Sequence, residues 1–254
     1  MSAADLTAAQ RAAYEKDGFL VLKGLFSRPE MANITNWTEE LQAWDEAPGK
    51  YMKYFEGSLT EPGQRLLCRI ENFTPYHEEF RGLFDGDKMR GTVSALFGEP
   101  AILFKDKVNL KLAGGDGFKP HQDQQAGWGD YADLFISALV CIDPHTHENG
   151  CLKLVPGRGD KALVGDEWRP LDDEQMAGME FVPFLGQPGD VVLFDSFVSH
   201  SSEPNCTDAP RRALYVTYNK ASAGDHRARY YADKRLSYPP DCEREEGKEY
   251  VFRV

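Results

Sequence analysis

The chain has 254 residues, 41% of them hydrophobic and 12% aromatic, enough for one sizeable core. Its 41 acidic residues against 29 Lys and Arg give a net charge of -12, a field that repels a phosphate backbone and argues against nucleic acid, though not against a small anionic or zwitterionic substrate met by gathered cations. No apolar run reaches eighteen residues, Met1–Gln10 lacks a basic patch followed by an apolar stretch, and the five cysteines include no Cys-x-x-Cys pair, which together fit reduced thiols in a cytoplasmic protein with no membrane span.

Leu6–Asp17 reads as a helix, with Thr7 as cap and Gly18 as stop, followed by a short apolar strand at Phe19–Leu22. Arg28–Trp44 reads as a second helix, because Ile34, Trp37, Leu41 and Trp44 recur at spacings of three and four. Residues 45–75 mix charge with aromatics (Tyr51, Tyr54, Phe55, Phe73) and read as a long loop, a lid or an irregular helix pair. From Ala101 the pattern changes to period two. Ala101–Leu112, Leu134–Ile142, Cys151–Val155, Asp190–Phe194 and Arg211–Asn219 read as strands separated by Gly- and Pro-containing turns. Cys141 and Cys151 lie in apolar contexts and are expected in the core. The expected fold is mainly β with flanking helices, a jelly roll of the cupin type. One domain is expected over 1–254: an α-rich part to about 100, a jelly-roll core over about 101–220, and a C-terminal extension over about 221–254.

His121-Gln122-Asp123 is the first chemical signal. In an extended strand alternate side chains share a face, so an imidazole and a carboxylate can grip one metal ion. A second histidine from a distant strand would complete a two-His, one-carboxylate set, which leaves open positions on an octahedral iron. His200, a few residues beyond the strand ending at Phe194, is the candidate, although a lone histidine in a turn is ordinarily a satisfied structural group. A His-x-acid pair alone is weak evidence. The chain has another, His77-x-Glu79, in a helical context where residues two apart do not face each other, so His77 reads as a surface or packing residue. His145 and His147 sit in a turn and are expected to be exposed.

The anion-binding signals lie on two strands. Period two places Arg211, Tyr215, Thr217 and Asn219 on one face, and Arg212, Leu214, Val216 and Tyr218 on the other. A guanidinium on a polar inner face suits a carboxylate, which it can hold through two hydrogen bonds. Lys105, Lys107, Asn109 and Lys111 form a second polar row, with Phe104, Val108, Leu110 and Leu112 opposite. That row is either a solvated face or, if it points inward, a binder of anionic oxygens.

These residues resemble the phytanoyl-CoA dioxygenase family of iron(II)/2-oxoglutarate oxygenases. The likeness runs from Tyr14–Leu22 through His121-Gln122-Asp123, Asn149-Gly150-Cys151-Leu152, Val155-Pro156-Gly157 and Pro188-Gly189-Asp190-Val191 to His200–Asn205, with an arginine eleven residues after the distal histidine, here Arg211. The resemblance implies a double-stranded β-helix, iron(II) held by His121, Asp123 and His200, 2-oxoglutarate and dioxygen as cosubstrates, and Arg211 with Ser202 on the far carboxylate of 2-oxoglutarate. Lys111, Asn109 and Thr217 would add cosubstrate contacts. Lys107, Trp128, Tyr131, Tyr215 and Asn219 would face substrate. Leu139 stands where some members carry Trp, so contacts there do not transfer. Asp123 favours hydroxylation over halogenation, because the related halogenases put a small residue at that position.

A closer likeness, through Lys107–Leu112, Gly114-Gly115, Ala213–Asn219 and Tyr230–Arg235, is to bacterial hydroxylases of 2-aminoethylphosphonate and its N-trimethylated analogue. It implies hydroxylation of a small organophosphonate at the carbon next to phosphorus, with succinate and CO2 released. Lys and Arg would neutralise the phosphonate, and Trp128, Tyr131 and the aromatics of 51–55 would cage a quaternary ammonium unless they are simply core. The rivals are a hydroxylase of an amino acid, betaine or compatible solute, an acyl-CoA hydroxylase, a cupin-like metal enzyme with no need of Arg211, and a non-catalytic jelly-roll metal-binding module.

Overall fold

A computed structural model describes residues 6–157 and 161–250. Residues 1–5, part of the stretch read for a targeting signal, and 251–254, the end of the expected C-terminal extension, lie outside the described residues.

Helix α1 (Ala8–Asp17) starts at a capping box between Thr7 and Gln10 and stops at Gly18, whose φ of 76° is open to glycine at little cost. It leads into β1 (Phe19–Leu22) and then α2 (Arg28–Ala43), capped by Ser27 and Glu30. The segment expected as loop or lid is instead a β-hairpin, β2 (Met52–Gly57) and β3 (Arg65–Glu71), with Met52 paired to Glu71 and Gly57 to Arg65. Its pattern misleads because Lys53, Arg69 and Glu71 are buried, and charges in a short strand read as exposed loop. Helices α3 (Glu78–Asp85) and α4 (Thr92–Phe97) follow.

The remaining strands are β4 (Ala101–Lys111), β5 (Phe118–His121), β6 (Phe135–Cys141), β7 (Leu152–Leu154), β8 (Val182–Pro183), β9 (Val191–Asp195), β10 (His200–Ser202) and β11 (Arg211–Lys220); α5 (Arg227–Ser237) closes the order. They form a seven-stranded sheet, β1-β9-β6-β11-β4-β3-β2, and a four-stranded sheet, β5-β10-β7-β8, with antiparallel pairing throughout. This is the expected jelly roll.

Both faces of the large sheet are buried, and the alternation sorts them. Ile136, Val140, Leu193, Leu214, Val216 and Tyr218 pack against Ile34, Leu41, Phe80 and Phe84 of the helices. Their neighbours Leu139, Cys141, Val192, Phe194, Ala213 and Tyr215 point the other way and meet Leu152 and Leu154 of the small sheet. Cys141 and Cys151 are buried, as expected.

One residue breaks the alternation. Across β4 and β11, Lys105 pairs with Thr217 but Leu103 pairs with Tyr218, so Phe104 is an extra residue, a β-bulge. The sequence pattern groups Phe104 with Val108 and Leu110. The bulge turns it instead to the inner side, against Trp128, Phe135 and Tyr230, while Val108 and Leu110 stay with the helices.

Candidate active site

His121 ends β5 and His200 begins β10, and the two residues are direct partners across that antiparallel pair. Their ring centroids are 4.2 Å apart. The expected single extended strand for His121 and Asp123 is corrected in one respect: β5 stops at His121, and Asp123 opens a 3-10 turn over Asp123–Ala126. The turn still delivers the carboxylate. Asp123 Oδ1 lies 4.0 Å from His121 Nε2 and 3.9 Å from His200 Nε2, and the ligand atoms of the three residues all fall within 4.8 Å of one another. His77 stays outside this group and caps α3, its Nδ1 accepting from Phe80 N at 3.3 Å; it is buried, so it is a packing residue and not a surface one.

The surroundings orient all three groups. His121 Nδ1 lies 2.7 Å from the Lys119 carbonyl and His200 Nδ1 lies 2.9 Å from the Val198 carbonyl, contacts that place the proton on Nδ1 and leave each Nε2 lone pair free. Ser137 Oγ donates to Asp123 Oδ2 at 3.1 Å and lies 2.9 Å from Thr217 Oγ1, which leaves Oδ1 facing the imidazoles. Burial pushes the His121 imidazole down to about 3, helped by the neighbouring His200, so it stays neutral and able to bind a cation. Two imidazole nitrogens and a carboxylate oxygen, converging and correctly protonated, are a donor set that fits iron(II).

Beyond this cluster, Arg211 is fully buried, and among the described residues none of its three guanidinium nitrogens makes a well-formed hydrogen bond, although the Tyr215 side chain lies close to it. Such a group is costly unless a ligand completes it. It pairs across the sheet with Lys111, whose Nζ donates to Ser202 Oγ at 2.8 Å and to the Glu203 carbonyl. Burial, then the adjacent Arg211, pushes Lys111 down to about 7. Tyr215 lies beside the guanidinium, which partly offsets the upward push of burial on its phenol. Asn109 is buried on the same strand, and its Oδ1 has no partner. The lysine row of β4 is therefore interior and not a solvated face: Lys105, Asn109 and Lys111 are all buried.

His145 corrects an expectation. It is 1% exposed, not solvated like His147, and both its ring nitrogens lack hydrogen-bond partners. The turn is drawn inward because His145 N donates to the Gly186 carbonyl and the Asn149 side chain bonds across it to Thr146 N and the Pro144 carbonyl. Burial, with Arg211 and Lys111 nearby, holds the His145 imidazole neutral.

A cavity of about 760 Å³ opens over His121 and is lined by Tyr54, Phe55, Arg69, Phe118, Ser202 and Tyr238, among others. A second, of about 600 Å³, is lined by Lys105, Tyr131, Tyr230 and Lys234, and shares Trp168 and Tyr238 with the first. Of the expected substrate residues, Tyr131 lines the second cavity with its hydroxyl on Asp233, whereas Trp128 is packed among Phe104 and Phe135. Tyr51 packs on Trp44 and belongs to the core; Tyr54 and Phe55 reach the cavity. Asn219 is held elsewhere, its amide donating to the carbonyls of Lys220 and Gly224, and it lines neither cavity. Reading the sequence missed Arg69, Glu71, Lys234 and Trp168. The Trp168 ring lies over Gly127, where an added Cβ would come within 2.2 Å of it, so the glycine at φ +70° is required for close approach.

The match to known proteins agrees with this geometry. The family model for phytanoyl-CoA dioxygenase matches residues 14–213. The chain belongs to the phytanoyl-CoA dioxygenase family. It is 42% identical over 96% of its length to 93% of a 2-aminoethylphosphonate dioxygenase from an uncultured bacterium, HF130_AEPn_1. It is 38% identical over 92% of its length to 88% of a methylphosphonate hydroxylase from Gimesia maris. Among solved structures, EctD from S. alaskensis with 2-oxoglutarate and 5-hydroxyectoine superposes with a TM-score of 0.72 at 24% identity, over 86% of this chain and 77% of that one. As a member of the family the protein is an iron(II)- and 2-oxoglutarate-dependent dioxygenase. Among the described residues, no helix is long and apolar enough to cross a membrane.

Proposed function

We propose that the protein hydroxylates a small organophosphonate, 2-aminoethylphosphonate or its N-trimethylated form, at the carbon next to phosphorus, with release of succinate and CO2. The observation that carries the cosubstrate half of this reading is the buried Arg211 guanidinium, which makes no well-formed hydrogen bond among the described residues and shares the barrel interior with the His121, Asp123 and His200 cluster. The substrate half rests on the similarity to two phosphonate enzymes and on the interior cations of β4.

In this reading His121 and His200 bind iron through Nε2 and Asp123 binds through Oδ1. Iron(II) with 2-oxoglutarate and dioxygen supplies the oxidation of an unactivated C–H bond. The protein contributes position and exclusion of water. Arg211, with Ser202 and Lys111, takes the far carboxylate of 2-oxoglutarate, and Asn109 and Thr217 lie on the same inner face. Ser137 fixes which Asp123 oxygen faces the metal. Lys107, Tyr131 and Tyr215 face the substrate side, and the aromatic walls keep bulk water from the reacting carbon.

The test is succinate release, with product analysis, across 2-aminoethylphosphonate, its trimethyl form, betaines, ectoine, proline and an acyl-CoA ester. Turnover of a phosphonate with a hydroxyl on the carbon bonded to phosphorus is expected. Turnover confined to the CoA ester or to the betaines would remove the phosphonate reading and leave the oxygenase.

A further inference from the structure

We propose that Arg69, Lys105 and the half-buried Lys107 form a subsite for a dianionic substrate group, and that their excess of positive charge separates a phosphonate from its carboxylate isostere. The proposal rests on the phosphonate reading above and names the residues that would enforce it.

The charge balance of the interior motivates it. Glu71 on β3 is fully buried. Lys234 Nζ approaches its two carboxylate oxygens at 2.9 and 2.7 Å, Arg69 Nε lies at 2.9 Å and Lys105 Nζ at 3.9 Å. Burial alone would raise the Glu71 carboxyl, but Lys105, Lys234 and Arg69 together hold it well below the usual carboxylate range. The cluster therefore sets three cations against one carboxylate, an excess of two, in a chain whose net charge is -12.

Lys107 adds to that excess. It pairs in register with Glu71 across β3 and β4, yet among the described residues no carboxylate lies within ion-pair distance of it. Its Nζ instead sits 4.7 Å from the Tyr215 ring centre and 5.9 Å from that of Phe118. Burial, then the neighbouring Lys105, pushes Lys107 down to about 7, so a full positive charge there awaits an anion.

The position is right for a substrate. On β4, Lys111 pairs with Arg211, Lys107 with Tyr215 and Lys105 with Thr217, whose hydroxyl contacts the serine that holds Asp123. Successive members of this row climb about 6.6 Å per two residues, from the expected 2-oxoglutarate end past the metal ligands. Arg69 lines the cavity over His121, and Lys105 lines the second cavity beside it. Cations that outnumber the carboxylate they share are unfavourable in an interior, so a ligand that offsets the excess is favoured in proportion to its own charge. A carboxylate brings one negative charge. A phosphonate can carry two negative charges, its second ionisation falling near neutral pH and being drawn further by adjacent cations, and it offers three acceptor oxygens.

Lys105 is the residue to test, because Glu71 keeps Lys234 and Arg69 when it is removed. Enzyme loaded with iron(II) and 2-oxoglutarate would be compared as wild type, Lys105→Met and Lys105→Arg. The readouts are kcat/KM for 2-aminoethylphosphonate and for its carboxylate isostere 3-aminopropanoate, KM for 2-oxoglutarate, and the calorimetric Kd of methylphosphonate as a non-reacting probe under anaerobic conditions. Lys105→Met is expected to weaken methylphosphonate about 30-fold or more, lower the phosphonate-to-carboxylate preference to a similar extent and leave the 2-oxoglutarate KM within about 2-fold, while Lys105→Arg restores most of the loss. An unchanged methylphosphonate Kd, or equal losses for phosphonate and carboxylate, would overturn the subsite even if the wild type hydroxylates phosphonates. Lys105-dependent binding of methylphosphonate by an enzyme that hydroxylates none would uphold the subsite and sink the proposed reaction.

Discussion

The two faces of the large sheet use the same strands and are buried to the same degree, yet they hold opposite chemistry. On β11, Leu214, Val216 and Tyr218 face the helices and are enclosed by protein alone. Arg211, Tyr215 and Thr217 face the barrel and include a guanidinium with no well-formed hydrogen bond among the described residues. Burial therefore does not distinguish core from site here. What distinguishes them on β11 is how the buried polar groups are met: the Tyr218 hydroxyl on the outer face donates to the Phe84 carbonyl, whereas the Arg211 guanidinium on the inner face is left with donors and charge for a ligand.

Substitutions on the two faces should separate activity from stability. The largest effect is expected at Asp123, which faces both imidazoles. Asp123→Ala should lower phosphonate turnover at least about 1000-fold and abolish tight iron(II) binding, read by succinate release and metal titration, with a melting temperature close to wild type. Next, Arg211→Met should raise the 2-oxoglutarate KM about 100-fold. The same change should leave the ligand-free protein as stable as wild type or more so, since it removes a buried charge with no partner. A large loss of stability in that variant would mean that Arg211 is structural and would erase the contrast between the faces.

The outer face should respond in the opposite way. Leu214→Ala, one residue removed from positions that face the ligands, is expected to cost about 2–5 kcal/mol in chemical denaturation while the 2-oxoglutarate KM stays near wild type. The smallest effect sharpens the inner face. Lys107 and Lys111 are each pushed from the ordinary lysine range to about 7, so from pH 7 to about 10 the unfolded chain holds more protons than the folded one. Ligand-free stability from these groups is thus lost as pH falls toward 7 and grows as pH rises above it. A bound dianion should return the proton to Lys111. Calorimetry of 2-oxoglutarate binding at pH 8, in buffers of different ionisation enthalpy, should report net proton uptake that disappears in Lys111→Met.

The same distinction explains what the sequence made legible. Long strands with period two, such as Ala101–Lys111 and Arg211–Lys220, are readable because each alternation repeats several times. His121, Asp123, His200 and Arg211 are individually weak signals that become recognisable beside the family's pattern, and the structure brings the first three together. The strands at Val182–Pro183 and His200–Ser202 are too short or too polar to register, whereas the similarly short Phe19–Leu22 and Leu152–Leu154 are readable from their apolar residues. The hairpin of β2 and β3 was hidden by its own charges: Glu71 reads as exposed until Lys234, 163 residues later, arrives to pair with it. His145 was hidden in the same way, because its burial depends on the Gly186 carbonyl from a distant loop. Propensity and periodicity are local, whereas satisfying a buried polar group is not.

The extra residue at Phe104 has a consequence for how such an enzyme can change. Below it, β4 carries the registration that sets Lys107 and Lys111 against Tyr215 and Arg211; above it, the strand runs in the opposite phase. The inserted residue lets one strand serve two compartments: Leu103 stays with the helix-side core while Phe104 turns inward against Trp128, Phe135 and Tyr230, so deleting one residue here would swap which side chains at the start of the strand face the interior and leave the pairing of Lys105–Lys111 with β11 intact.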